Sequence, residues 1–301
     1  MAVQKEIWVR DIVNALFPDN SFVSRAVNDD MYVNEGKKVH IPNAGAPSGV
    51  VKNRAVVPAT ANKRTDVDID YTLDEFTTTP VLIPYADMVE LSYNKRQSVI
   101  SQDREQLITA AAEGLLAGWC PAAANRVDTT GDAVAAWTPS ATGTRKAIKP
   151  ADVAALQAKF NADNIPLTDR YLLLDAQMYE QLLQGMTESQ AIGFFAAADV
   201  KRGVLGQLYG FEVMVRSTVY RFANDGTLKD TSAAGAATDL AAGLAWHAGS
   251  VSRALGEVKM FDHVDNPLYY GDVYSFLVRC GGTIRRNDKK GVYAIVAAAT
   301  A

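Results

Sequence analysis

The stretch G-V-L-G-Q-L-Y-G-F-E-V-M-V-R, running from Gly203 to Arg216, decides how the rest of the chain reads. Three glycines, Gly203, Gly206 and Gly210, lead into an alternation of Phe211, Val213 and Val215 with Glu212 and Arg216 between them. Glycine adopts backbone angles that other residues avoid, and a period of two is that of a half-buried strand. The stretch predicts a structural turn that feeds the central strand of a domain. A glycine-rich turn can also cradle a phosphate. Dinucleotide and P-loop sites, however, place the strand before the glycines and a helix after them. Here the strand follows, and no Lys-Ser or Lys-Thr pair stands behind the glycines, so no nucleotide site is expected.

Outward from that stretch, 301 residues with 48% hydrophobic and 21% charged side chains are ordinary globular usage, enough for two domains or one elaborate one. A net charge of -4 argues against a dedicated nucleic-acid binder, whose affinity rests on basic surface, and leaves room for a local basic patch. Cys120 and Cys280 lie far apart in sequence, without metal-ligand spacing, and read as free thiols in a reducing compartment. The start, M-A-V-Q-K-E-I-W-V-R-D, has no apolar signal-peptide core, and no run reaches the length of a membrane span. A protein that assembles in the cytosol, with no membrane partner, is expected.

Residues 3 to 17 place Ile7, Trp8, Ile12, Val13, Leu16 and Phe17 on one helical stripe that Pro18 ends. That stripe docks either on its own domain or, as an arm, on a neighbouring subunit. From Met31 to Pro84 the chain becomes a long β-rich excursion with few large core residues. Asn34-Glu35-Gly36-Lys37 reads as a turn, and T-D-V-D-I-D-Y from Thr65 alternates Asp66, Asp68 and Asp70 with Val67, Ile69 and Tyr71. A calcium loop starting at Asp66 would need Gly and Glu where Tyr71 and Thr77 stand, so the carboxylates read as the solvent face of a strand. Lys52, Arg54, Lys63 and Arg64 on the same excursion supply the opposite sign for contacts with another chain.

Ser92 to Cys120 carries the strongest helix signal, with Ile100, Leu107, Ile108, Ala111 and Leu115 on one side and Pro121 as the stop. Residues 122 to 148 read as a loop or insertion. Pro150 opens a helix that buries Val153, Leu156 and Phe160; Arg170 to Leu174 reads as a strand; Asp175 caps a short helix through Leu183. Further on, 224 to 238 is a surface loop, Gly243 to Ala248 a strand, and Ser250 the cap of a short helix through Leu255. Strands Val273 to Val278 and Val292 to Val296 flank a turn that begins at Gly281-Gly282. Helix and strand alternate, which implies a mixed domain.

Catalytic patterns are absent. His40, His247 and His263 lie on separate segments, and neither H-E-x-x-H nor G-x-S-x-G occurs. His247, beside Trp246 in a strand, reads as a packed, hydrogen-bonded histidine. Arg285, Arg286, Lys289 and Lys290 form the densest basic cluster, read either as a solvated hairpin tip or as a phosphate-facing patch.

Three elements in their order give the chain a family likeness: the L-Y-G-F-x-V-x-V unit within Gly203 to Arg216, Leu244-Ala245-Trp246-His247, and the turn G-G-T-I-R-R-N-D-K-K-G-V from Gly281. In these the chain resembles the major capsid proteins of tailed bacteriophages, the Hong Kong 97-type capsid fold. The order of parts covers almost the whole chain. The resemblance implies an α+β fold divided into an N-terminal arm (1–38), an extended loop (39–84), a peripheral domain with a spine helix (85–164), an axial domain (165–251) and return strands of the peripheral domain (252–301). It also implies a subunit without enzyme activity or cofactor, whose main partner is itself, assembling in host cytoplasm into pentamers and hexamers of an icosahedral virion capsid around double-stranded DNA. Portal, scaffolding and decoration proteins are the other implied partners, with packaged DNA held non-specifically. Trp8, Lys52, Arg54, Lys63, Arg64, Asp66, Asp68 and Asp70 become assembly contacts, and Gly203, Gly206 and Gly210 a structural turn. One lineage of the fold forms Lys-Asn cross-links; Lys52 and Lys63 with Asn266 or Asn287 lack the surrounding motif, and no cross-link is expected. An encapsulin-like cellular nanocompartment is the alternative reading, and a stand-alone α/β enzyme the third.

Overall fold

The computed structural model describes residues 21–34, 37–41, 50, 52–55, 68–85, 95–230 and 232–300. Strands β1 (Val27–Asn28), β2 (Val33–Asn34), β3 (Lys38–Ile41), β4 (Ile69–Thr72), β5 (Asp74–Thr77) and β6 (Val81–Pro84) precede the long helix α1 (Lys95–Gly118). Next come β7 (Arg126–Asp128), β8 (Ala133–Ala135), β9 (Thr144–Lys146), α2 (Pro150–Ala162), β10 (Arg170–Asp175), α3 (Ala176–Gln184) and α4 (Glu188–Ala196). The chain then runs through β11 (Gly206–Leu208), β12 (Phe211–Arg216), β13 (Tyr220–Phe222), β14 (Leu240–His247), β15 (Val251–Asn266), β16 (Gly271–Ile284) and β17 (Val292–Val296).

Two sheets carry the molecule. The seven-stranded one has the order β11-β12-β10-β14-β17-β7, with β13 also on β14. Its central strands are buried on both faces, which is why R-Y-L-L-L reads as a continuous apolar run. Tyr171, Leu173, Met214, Leu244 and Trp246 point towards α1, while Leu172, Leu174, Phe211, Val213 and Ile295 pack with the α2 and α3 residues Val153, Leu156, Phe160, Met178 and Leu182. The expected half-buried strand at 211–216 is thus covered on both sides, because Met214 meets one core and Val213 the other.

The five-stranded sheet is dominated by the antiparallel pair β15–β16, with β1, β5 and β6 at its sides. Helix α1 lies along β16 and buries Leu107, Ile108, Ala111 and Leu115, spaced so that one face of the helix is apolar. Each such large side chain is worth about 1.5–3 kcal/mol on removal from water. Trp119, just past the helix, stacks between Phe22 and Trp246 at centroid distances of 5.9 Å each, and donates to Ser252 O at 2.8 Å. Trp246 in turn donates to Arg25 O at 2.9 Å. The two indoles therefore join both sheets and the N-terminal segment in one core.

Several expectations are corrected. Residues 251–255 are the start of β15, not a helix, since Val251↔Ile284 through Leu255↔Cys280 give every residue a ladder partner from a distant strand. Gly281 and Gly282 sit inside β16, not in the turn, because the helix end and β15 crowd that strand: a Cβ on Gly282 would lie 2.6 Å from Trp119 Nε1 and 2.7 Å from Ser252 O. Val292–Val296 joins the seven-stranded sheet between β14 and β7, not the five-stranded sheet of β15 and β16, while Val292, Ala294 and Val296 still share a core with the long helix. Residues 122–148 hold three short strands, and α4 is a helix not anticipated at all. Its signal stood in the sequence: Thr187-Glu-Ser-Gln190 is a capping box, with both reciprocal bonds formed.

Candidate assembly surface

The extended loop is tied to the body by a small stem. Strand β3 pairs antiparallel with β4, and β2 with β3. Val39, Ile41 and Leu73 pack with Ala254 of β15 in a core of their own. On the outer face His40 Nδ1 lies 2.7 Å from Asp70 Oδ1, both side chains about half exposed. Asp68 and Asp70 face solvent, as the alternation requires, and Lys52 and Arg54 are also exposed. Among the described residues no ion pair joins Lys52 or Arg54 to either aspartate. Trp8, Lys63, Arg64 and Asp66 lie outside the described residues.

The three glycines of the opening stretch serve three different needs. Gly203 has φ +73° and rests against Ser21, whose Oγ would be 2.2 Å from an added Cβ. Gly210 (φ +80°) follows Tyr209 (φ 47°) in the two-residue turn between β11 and β12. Left-handed angles at both positions make the type I′ geometry that matches the twist of a hairpin. Gly206 lies in a strand, not in the turn; an added Cβ would lie 2.5 Å from the Phe194 ring of α4. The nearby amides are occupied: Val204 N donates to Asp199 O at 3.0 Å and Leu205 N to Val213 O at 2.9 Å. They do not form an open anion cradle.

The basic cluster is largely charge-balanced. Arg286 forks onto Asp288 at 2.9 and 2.7 Å, and that hydrogen-bonded guanidinium holds the Asp288 carboxyl down at about 2. Lys290 reaches Asp163 at 3.2 Å and Arg285 reaches buried Asp29 at 3.3 Å. Lys289 is exposed with φ 53°. Of the three acids only Asp288 stands in the cluster's own sequence; Asp163 and Asp29 come from remote segments.

The loop 224–238 is anchored at its base by Asp239, almost fully buried, which takes Lys229 Nζ at 2.8 and 3.0 Å and Ala236 N at 2.9 Å, with Arg221 Nε at 3.7 Å. Arg145, from the β8–β9 hairpin, donates to Asp239 O at 3.1 Å and Ala237 O at 3.1 Å, so two loops are bound into one unit.

A cleft of about 480 Å³ runs between α1, β5 and residues 219–232. It is lined by Phe76, Gly114, Leu116 and Tyr220 together with the charged residues Asp74, Glu113, Asp230 and Lys229, of which Glu113 pairs with Arg216 and Lys229 with Asp239. Apolar side chains are exposed at the β15–β16 tip, Leu268 and Tyr270 at 82% each, with Tyr85 beside them, and on α4 at Ile192 and Phe195.

His247 accepts from Gly249 N at 3.1 Å, and burial lowers its pKa, so the imidazole caps a turn in its neutral form. Cys120 and Cys280 are free thiols, both pushed up by burial, Cys280 to about 12. Among the described residues no group of three His, Cys, Asp or Glu side chains is arranged to hold a metal ion, and no helix is long and apolar enough to cross a membrane.

No protein-family model matches the chain, and no curated protein matches it either. Solved structures do. The capsid structure of the cyanophage P-SCSP1u is similar at TM-score 0.63 and 16% identity, over 92% of this chain and 87% of that one. The capsid of Ralstonia phage GP4 gives 0.62 and 14%, over 92% and 88%. A virus-like particle from Pyrococcus furiosus gives 0.55 and 8%, over 97% and 99%. At these identities the likeness is one of fold.

Proposed function

From its possession of the tailed-phage capsid fold, Hong Kong 97-type and α+β, we infer that this chain is a major capsid protein: a structural, non-enzymatic subunit of a virion shell. The observation that carries the reading is a match to phage capsid structures over nine-tenths of the chain. The physics of the parts supports it. The stem's own core, Val39, Ile41, Leu73 and Ala254, is small beside the 27 residues it joins, 42 to 68, which suits a loop that meets neighbouring copies. The cleft beside α1, with apolar Phe76, Leu116 and Val219 and the carboxylates Asp74 and Asp230 in its lining, offers a place for the Val56-Val57 run and the Lys52 and Arg54 charges of another copy's loop. Many such weak contacts act together in a closed shell.

In this reading the copies form pentamers and hexamers around double-stranded DNA, in heads built in host cytoplasm with portal, scaffolding and decoration proteins. Residues 1–38 act as the arm, 39–84 as the extended loop, 85–164 as the peripheral domain and 165–251 as the axial domain, to which Val292–Val296 adds a strand. A cellular compartment shell is the second reading; the end-to-end match to the Pyrococcus furiosus virus-like particle fits a self-assembling shell of either kind.

Electron microscopy of the purified protein tests both. Closed particles are expected; a monomer that persists at high concentration overturns the shell reading. Replacing residues 42–67 by a short Gly-Ser link is expected to leave cooperative unfolding intact and to abolish particles. Particles formed with DNA and a portal vertex, against particles loaded with a cellular enzyme, separate the first reading from the second.

A further inference from the structure

Where the N-terminal segment crosses the body, a polar cluster is largely buried. Asp29 and Ser252 are both fully buried. The carboxylate oxygens of Asp29, Ser252 Oγ, Tyr71 Oη and Arg285 Nε are all buried, with no well-aligned hydrogen bond, although Ser252 lies near enough to both Asp29 and Tyr71 to interact weakly with each. Each comes from a different part of the chain: Asp29 from the N-terminal segment, Tyr71 from the β4 stem of the extended loop, Ser252 from β15, and Arg285 from the end of β16. Arg285 Nη2 at 3.3 Å is the ion-pair partner of Asp29. The other charges facing the site are Asp30 on the same segment and Arg253 on β15, which lie close enough to influence one another. Around the cluster the backbone is stitched: Asp29 N donates to Arg253 O at 2.9 Å, Leu255 N to Asp30 Oδ1 at 2.7 Å, and β1 pairs with β15.

Poorly satisfied buried polar atoms of this kind are costly, more so for a charge, and so mark places where a structure is held in tension. We propose that Asp29 is a proton-operated latch that couples the N-terminal segment and the stem of the extended loop to the body. As an ion, Asp29 only accepts, and its neighbours Ser252 and Tyr71 must both turn their hydroxyls towards it. Once protonated, it donates to Ser252 Oγ or Tyr71 Oη, and Arg285, partly exposed, is released to water. The proposal concerns the folded subunit and stands apart from the shell reading. The sign follows from the environment. Burial raises the Asp29 pKa despite Arg285 and Ser252, which lower it. A carboxyl with a raised folded-state pKa adds stability below its ordinary value and loses it as pH rises through the raised one. The segment is therefore seated more firmly in acid.

Hydrogen exchange of the full-length protein, with rates for residues 27–33 referred to unstructured peptides and to the β10 amides, tests this at pH 5 to 8 in one fixed assembly state. Protection of 27–33 is expected to be greater at pH 5 than at pH 8. Asp29→Asn, an uncharged isostere, is expected to be protected at every pH with no such rise. A flat wild-type profile, or the same slope in Asp29→Asn, overturns the latch. Should Asp29→Asn fail to fold, Arg285→Gln decides: loss of the cation moves the rise to higher pH, and an unmoved rise overturns the proposal.

Discussion

Gly118 at the end of α1 and Gly282 in β16 meet backbone to backbone: a Cβ on Gly118 would lie 2.1 Å from Gly282 O. One turn earlier Gly114 does the same over the Phe76 ring, with 2.4 Å to Cζ. The long helix thus approaches the five-stranded sheet on two glycines one turn apart, and Trp119 seals the contact from beyond its end.

Gly118→Ala is expected to destabilise the dissociated subunit by about 3 kcal/mol, since the atom in the way is backbone and cannot rotate aside. Gly114→Ala should cost less, about 1–2 kcal/mol, because the Phe76 ring can shift. Urea unfolding curves of the two variants check the order. Equal midpoints would mean that helix and sheet slide freely.

The glycines of the β11–β12 hairpin separate two mechanisms. Gly210 has open space around it and φ +80°, so Gly210→Ala should cost about 1 kcal/mol through backbone strain alone. Gly206→Val should cost about 2–4 kcal/mol through collision with Phe194. Adding Phe194→Leu to Gly206→Ala is expected to recover part of the loss, and a double-mutant cycle on unfolding free energies reads the coupling. Purely additive effects would remove Phe194 as the reason for the glycine.

Asp239→Asn leaves Lys229 and Arg221 beside a neutral group in a buried site and should cost about 3 kcal/mol. The loss is expected to fall on both loops, because Arg145 binds the same residue's carbonyl. Hydrogen exchange that rises in 223–239 and in 133–146 together checks this; a rise confined to the first would show that the loops are independent.

Asp288, held at about 2 by Arg286, contributes ion pairing that is present above the ordinary carboxylate range and lost only as pH falls through about 2. An NMR titration should find it ionised at pH 3. With Arg286, Lys290 and Arg285 each facing a carboxylate, the double change Arg286→Gln with Lys290→Gln is expected to alter the salt slope of DNA binding by less than about one. A larger change would make this turn a phosphate contact.

The sequence alone sufficed for whatever local periodicity and punctuation encode. The long helix, the Pro150 helix with Val153, Leu156 and Phe160 buried, the strand at Arg170 and the cap at Asp175 all lie where spacing and turn residues put them. The order of those parts was enough to suggest the capsid fold that solved structures share. Tertiary structure decided what depends on residues far apart in the chain. Residues 251–255 became a strand because β16 supplied its ladder, Gly206 and Gly282 are small because of Phe194 and Trp119, and Arg285 lost its role as a free base to Asp29. Asp29 itself carried no signal, since nothing in a local stretch records which carboxylate will be buried by three distant segments. Helices and strands answer to neighbours a few residues away, whereas burial and charge pairing are settled only when the chain closes on itself.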